Sequence, residues 1–174
     1  MTKLHPHLGL VLALLFSGIF SVVFASPSSA QSSQTEVSNS EAQKQAVIAV
    51  IQQMFEGMKT GDSAKVSAAF HPTLVLHTTS FRDGKPTFRA ESIKEFLKSI
   101  ATPKPAGVVY DERILRYDVQ IDDAFASVWT PYRFYIGEKF SHCGVNAFHC
   151  VLTESGWKIT HITDTRRKEP CPEK

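Results

Sequence analysis

Four histidines, His77, His142, His149 and His161, lie in segments of extended apolar character, and Asp164 follows the last of them by three residues. An imidazole titrates close to neutral pH, so a strand histidine beside a carboxylate is the simplest general acid–base pair this chain can assemble. His142, His161 and Asp164 are the candidate catalytic groups on that ground. The competing reading of each histidine is a packed strand residue hydrogen-bonded to a neighbour. A metal site is not expected: no two histidines share one helical face at ligand spacing, and no third ligand is evident.

Convergence of these groups depends on the register of the last hairpin. A two-residue turn at Ser155-Gly156 places Cys150 opposite His161, Phe148 opposite Thr163 and Asn146 opposite Thr165. A three-residue loop with Gly156 left-handed places His149 across from His161 instead. One residue of slip exchanges the faces. The first register is favoured because it collects Leu152, Phe148, Trp157 and Ile159 on one apolar side, together with Asn146, His142 and His161.

His142 and Cys143 are sequence neighbours, but adjacent strand residues point to opposite faces, which argues against a Cys-His nucleophile pair. Asp111 and Asp118 alternate so that either can face water. Trp129, Tyr132 and Phe134 form an aromatic segment that can stack on an apolar ligand or pack in the core. Pro131 within it cannot donate to a ladder and predicts an edge or bulge. Asp164, Arg166 and Arg167 form an ion-paired lip or tie the tail to the sheet end.

The elements that position these residues can be read from periodicity. Ser40 and Gln43 resemble a capping box, and Val47, Val50, Ile51, Met54, Phe55 and Met58 then recur at helical steps until Gly61. Asp62 caps a short helix through Val66, Ala69 and Phe70. A strand is predicted over Leu74 to Thr79, a turn at Arg82-Asp83-Gly84-Lys85, and a third helix over Glu91 to Ile100. Strands follow at Val108 to Val119, Phe125 to Ile136, Lys139 to Thr153 and Trp157 to Thr163. Helices first, then a meander of long strands, is an α+β plan.

Lys3 is the only formal charge before an apolar run from Leu8 to Phe24, and small residues close that run. Residues 1–30 therefore read as a signal peptide, cleaved after Ala30 or Ala25, and predict an exported protein, periplasmic or secreted, with no membrane attachment after cleavage. Residues 31–40 lack large apolar side chains and read as a disordered mature N-terminus. One domain spans 41–165, and 166–174 form a tail. With 19 basic and 17 acidic residues, nothing suggests a nucleic-acid partner. Disulfides persist in an exported chain. Cys143 and Cys150 lie seven apart in one strand, ~23 Å at full extension, beyond bridging reach. An antiparallel return puts Cys143 opposite about position 167 or 168, so Cys143–Cys171 is the preferred bridge, with Cys150 a buried free thiol.

The order α, short α, β, α, β, β, β, β, with Ala69-Phe70-His71-Pro72-Thr73-Leu74-Val75-Leu76-His77-Thr78 and the ending Glu154-Ser155-Gly156-Trp157-Lys158-Ile159, resembles the nuclear transport factor 2-like superfamily. The likeness covers about Glu41 to Thr165 and looks closest to its lumazine-binding-like and polyketide-cyclase-like branch. It implies a cystatin-like cone: a curved antiparallel sheet wrapped around a long N-terminal helix, with a pocket at the wide mouth and frequent homodimerisation through the outer face. Ketosteroid isomerases and scytalone dehydratase share that scaffold, as do many members without a known reaction, so the fold alone licenses no chemistry. The expectation is an exported binder of a small, partly apolar molecule, without cofactor, with His77, Trp129, Tyr132, Asn146 and Phe148 as ligand contacts. The alternatives are a lyase or isomerase using a pocket His and carboxylate, and a dimeric interaction module with a vestigial pocket.

Overall fold

The computed structural model describes residues 29–106 and 108–173, with side chains from residue 38 onward. Most of the proposed signal peptide, 1–28, lies outside the described residues. Among the described residues no helix is long and apolar enough to cross a membrane.

Helix α1 spans Ser29–Thr60 and so begins well before the Ser40 capping signal. Residues 31–40, which composition assigns to a disordered tail, are helical, because once a helix is nucleated each further residue adds a hydrogen bond at little cost. Gln43, expected in a capping box, instead accepts a 3.0 Å hydrogen bond from the Trp157 indole. The packed part begins at Val47: Val47, Val50, Ile51 and Met54 are buried, at the three- and four-residue steps of one helical face. Gly61 adopts φ +76 and stops the helix. Helix α2, Ser63–Ala68, starts where the Asp62 carboxylate accepts from the Lys65 amide. Helix α3, Ile93–Ala101, is capped in the same way by Ser92.

Seven strands follow the chain as β1 (Phe70–Arg82), β2 (Lys85–Glu91), β3 (Tyr110–Ile114), β4 (Asp118–Asp122), β5 (Phe125–Ile136), β6 (Lys139–Thr153) and β7 (Gly156–Arg166). They form one sheet in the order β2-β1-β7-β6-β5-β3, with β4 also on β5. The architecture is the expected α+β curved sheet. One junction differs from an all-antiparallel ladder: β1 and β7, distant in sequence, pair parallel. Strand β2 was not anticipated, since Lys85–Glu91 shows little apolar alternation and its residues are mostly exposed.

The strand expected over Val108 to Val119 is broken into β3 and β4, both on the β5 edge. Pro131 supplies the reason: its carbonyl accepts from the Leu115 amide at 2.9 Å, but it has no N–H to return on that side.

The last hairpin departs from both registers at its turn and takes the second of them, rather than the favoured first, beyond a bulge. Thr153 pairs with Gly156, and Leu152 with Trp157, so Glu154 and Ser155 form the turn. A bulge at Thr160 then shifts the pairing, which puts His149 opposite His161 and Asn146 opposite Asp164. The extra residue keeps Trp157 and Ile159 inside on one side of it and Ile162 and Asp164 inside on the other. His161 is thereby turned away from the face it was expected to share.

Cys143 and Cys171 are joined by a disulfide, and Cys150 is free and buried. The bridge holds the tail where Cys143 and Arg167 exchange backbone hydrogen bonds of 2.8 and 2.9 Å. Beside it, a Cβ on Gly144 would lie 1.8 Å from the Thr165 carbonyl oxygen, so only glycine allows β6 and β7 to cross that closely.

Candidate functional site

The curl of the sheet over α1 and α3 leaves a cavity of about 560 Å³. Its walls are Met54, Phe55 and Met58 from α1, Phe96 and Ile100 from α3, and Phe134 and Ile136 from β5. Its floor is polar: Thr78 of β1, Glu112 of β3, Tyr132 of β5, His142 and Asn146 of β6, and Asp164 and Arg166 of β7. Most of these positions share the inner face because they sit at even spacing from a buried core residue on their own strand, such as Leu76 before Thr78 and Phe148 after Asn146, while Glu112 alternates with the half-buried Tyr110 and Ile114.

The floor holds two hydrogen-bonded groups, one around Asp164 and one around Asn146. Asp164 accepts from the Thr78 hydroxyl at 2.6 Å and from Arg166 Nε at 2.5 Å. The Tyr132 hydroxyl donates to the Thr165 carbonyl at 2.9 Å and lies 3.4 Å from Asp164 Oδ2. Asn146 Nδ2 donates to Glu112 Oε1 at 2.7 Å. Burial pushes the Glu112 carboxyl up to about 7; the Asn146 hydrogen bond works against that shift, and the nearby Asp164 charge adds to it. Burial likewise raises the Tyr132 phenol and lowers the His142 imidazole, which Arg166 lowers further. Arg166 is raised: its hydrogen bond and charge contact with Asp164 outweigh the burial that opposes its charge.

Of the residues nominated from sequence, His142, Tyr132, Asn146 and Asp164 converge here. The others do not. His161 lies on the outer face, its ring between those of His77 and His149, because the Thr160 bulge changes its side. His77 borders the cavity, but its ring packs on Phe88 and its Nδ1 lies 3.3 Å from His161 Nε2. Trp129 is on the outer face and half exposed. Phe148 is wholly buried, edge-on to Phe55, and is core rather than lining. Asp111 faces Lys59 and Arg113, and Asp118 faces Arg116. Arg166 belongs to the floor rather than to a lip. The sequence reading missed Glu112 and Thr78 altogether. Glu112 sits between two other charged residues, and its only distinguishing signal is alternation with Tyr110 and Ile114.

No group of three or more His, Cys, Asp or Glu able to hold a metal ion is found among the described residues. The arrangement places a polar floor under an apolar roof, with one buried carboxyl pushed up to about 7.

A family model described as "Putative lumazine-binding" matches residues 42–161. The chain belongs to that family. No curated protein matches. Among solved structures, this lumazine-binding-like chain is similar to a nuclear transport factor 2-like protein with a cystatin-like fold from Novosphingobium aromaticivorans, at TM-score 0.61 and 10% identity over 79% of this chain and 90% of that one. A protein from the same organism named "Putative Scytalone Dehydratase" gives TM-score 0.56 and 9% identity over 75% and 88% of the two chains. A dehydratase-named relative from Streptomyces avermitilis gives 0.50 and 15% over 71% and 94%. Identities this low establish a shared fold alone.

Proposed function

We propose that this family member is an exported protein that binds a small, partly apolar molecule in the cavity above Glu112. The observation that carries the reading is the cavity itself: aromatic and methionine walls over a floor whose polar groups are held by one another rather than by the core. A vestigial pocket would be filled by its own side chains, whereas Phe148 and Met54 leave this one open. Export rests on the apolar run and small residues of 1–30. Native mass spectrometry of protein from its own host tests the binding reading, with a co-purifying molecule expected. Ser99→Trp, at an exposed lining position, should expel that molecule without disturbing the core. Retention of the same mass by the Trp variant would place the molecule elsewhere.

A second reading, turnover of the occupant by a lyase or isomerase, is favoured by one observation. Glu112 carries or yields a proton near pH 7, beside Asp164, which accepts from Thr78 and Arg166. A buried carboxyl held near neutral pH suits acid–base work. Two fold neighbours bear dehydratase names. Incubating the occupant with protein in D₂O decides it: deuterium incorporation lost in Glu112→Gln supports turnover, and none in the native protein leaves binding alone.

A homodimer through the outer face is part of the same proposal. Val75, Phe88, Phe125 and Trp129 are each more than a third exposed there, an apolar area that association would cover. Trp129→Lys should give a monomer in sedimentation if this is the interface.

A further inference from the structure

Charge is unevenly distributed along the cavity. Glu91 and Glu95 stand near the rim and Glu112 and Asp164 lie on the floor, whereas Arg166 is the one guanidinium and no lysine is among the described lining residues. Two of the four carboxylates are already matched: Glu91 by Arg89, and Asp164 by Arg166. Glu95 and Glu112 have no ion-pair partner among the described residues. Glu112 accepts from Asn146 through Oε1, while Oε2 has no hydrogen-bond partner among the described residues and the side chain borders the cavity. Phe55, Phe96 and Phe134 line the same cavity, and aromatic faces attract cations.

We infer that the occupant carries a positively charged nitrogen, a protonated amine or quaternary ammonium on an apolar body about the size of a ring, seated with its charge toward Glu112. The inference rests on the binding reading above and narrows it. A ligand cation supplies the counter-charge that the fold withholds from Glu112, and the Glu95 carboxylate at the rim favours its approach. An anion would have to take Arg166 from Asp164, leaving a buried carboxylate unpaired. The titratable and charged groups facing Glu112 are Asp164 and Arg166 from β7, Tyr132 from β5, His142 from β6 and Tyr117 from the segment after β3. Among them only Arg166 is a fixed cation, and Asp164 holds it. Because burial pushes Glu112 up to about 7, a cation that selects the ionised carboxylate drives proton release below that pH.

Calorimetry with three probes sharing one phenyl body tests this: phenethylamine, 2-phenylethanol and phenylacetate. Phenethylamine is expected to bind about tenfold or more tightly than the alcohol at pH 8, with phenylacetate the weakest. Its affinity should fall about tenfold between pH 8 and pH 6, with a buffer-dependent heat that reports the released proton. Glu112→Gln, which keeps the Asn146 contact, should abolish both the amine preference and its pH dependence. Glu95→Gln, at an exposed rim position, should weaken the amine about twofold and reduce its salt dependence. If Glu112→Gln fails to fold, the ranking and pH dependence in the native protein still decide the matter. Equal or tighter binding of the alcohol or the acid overturns the cation inference and leaves the pocket reading standing. No binding of any probe to the native protein overturns both.

Discussion

The two faces of one sheet are built from the same strands and carry opposite kinds of polar group. Inside, Thr78, Tyr132, Asn146 and Asp164 lie buried beneath an apolar roof, with Glu112 bonded to Asn146 and Arg166 reaching Asp164 from an exposed position. Outside, a row of rings crosses five neighbouring strands: Phe88, His77, His161, His149 and Phe125, each packed on the next at 4.7 to 5.4 Å between centroids. The inner groups depend on carboxylates that would be costly to leave unpaired. The outer row depends on stacked rings that lose little when one is replaced. Histidines on a strand are therefore weak guides to a site, and a carboxylate whose neighbours are all on other strands is a strong one.

That contrast can be tested by removal, and the largest effect belongs inside. Asp164→Ala removes the acceptor of the buried Thr78 hydroxyl and the partner of Arg166, and it should cost about 2 to 3 kcal/mol in urea unfolding. A loss below about 1 kcal/mol would show that the floor is solvated and the contrast false.

Glu112→Gln should act with the opposite sign at high pH. Its folded-state carboxyl, at about 7, lies above its unfolded value, so the native state binds the extra proton between about pH 4.5 and 7. Stability from this group is therefore lost as pH rises through that window. The Gln variant should gain on the order of 2 kcal/mol relative to native at pH 8 compared with pH 4, less than the full shift because the cavity admits water. Parallel pH–stability curves for the two proteins would remove Glu112 from the account.

On the outer face the pH effect runs the other way and is smaller. Burial, then the charges of His149 and His77, lower the His161 imidazole, so its contribution is present above its ordinary value near 6.5 and is lost as pH falls below it. His161→Gln should flatten that acid limb by less than about 1 kcal/mol, since the site is partly open to solvent. Smallest of all, His149→Ala should change stability by no more than about 0.5 kcal/mol, as expected of an exposed position. A loss comparable to that of Asp164→Ala would mean the row is structural.

Much of the architecture was legible because burial and periodicity coincide. Val47 through Met58 mark one helical stripe, and Phe125 to Ile136 and Lys139 to Thr153 match their strands end to end. What failed has local causes. Lys85–Glu91 lies on the sheet edge and buries almost nothing, so it leaves no apolar trace. Pro131 was read as a bulge signal on its own strand, whereas its missing donor breaks the strand beside it. The site was half legible: Asn146, His142, Tyr132 and Asp164 were nominated, but Glu112 came from a strand whose hydrogen-bond partner is 34 residues away. His161 was placed inside because strict alternation cannot reveal an inserted residue.

Thr160 is that inserted residue, and its presence makes the pocket a matter of counting. A regular strand that kept Thr160 in the ladder would leave the core anchors Trp157 and Ile159 where they are and turn everything downstream over. The carboxylate and guanidinium of the floor would then point at solvent, and a histidine and two threonines would fill their places. Deleting Thr160 would do the reverse, restoring plain alternation with Ile162, Asp164 and Arg166 still facing inward.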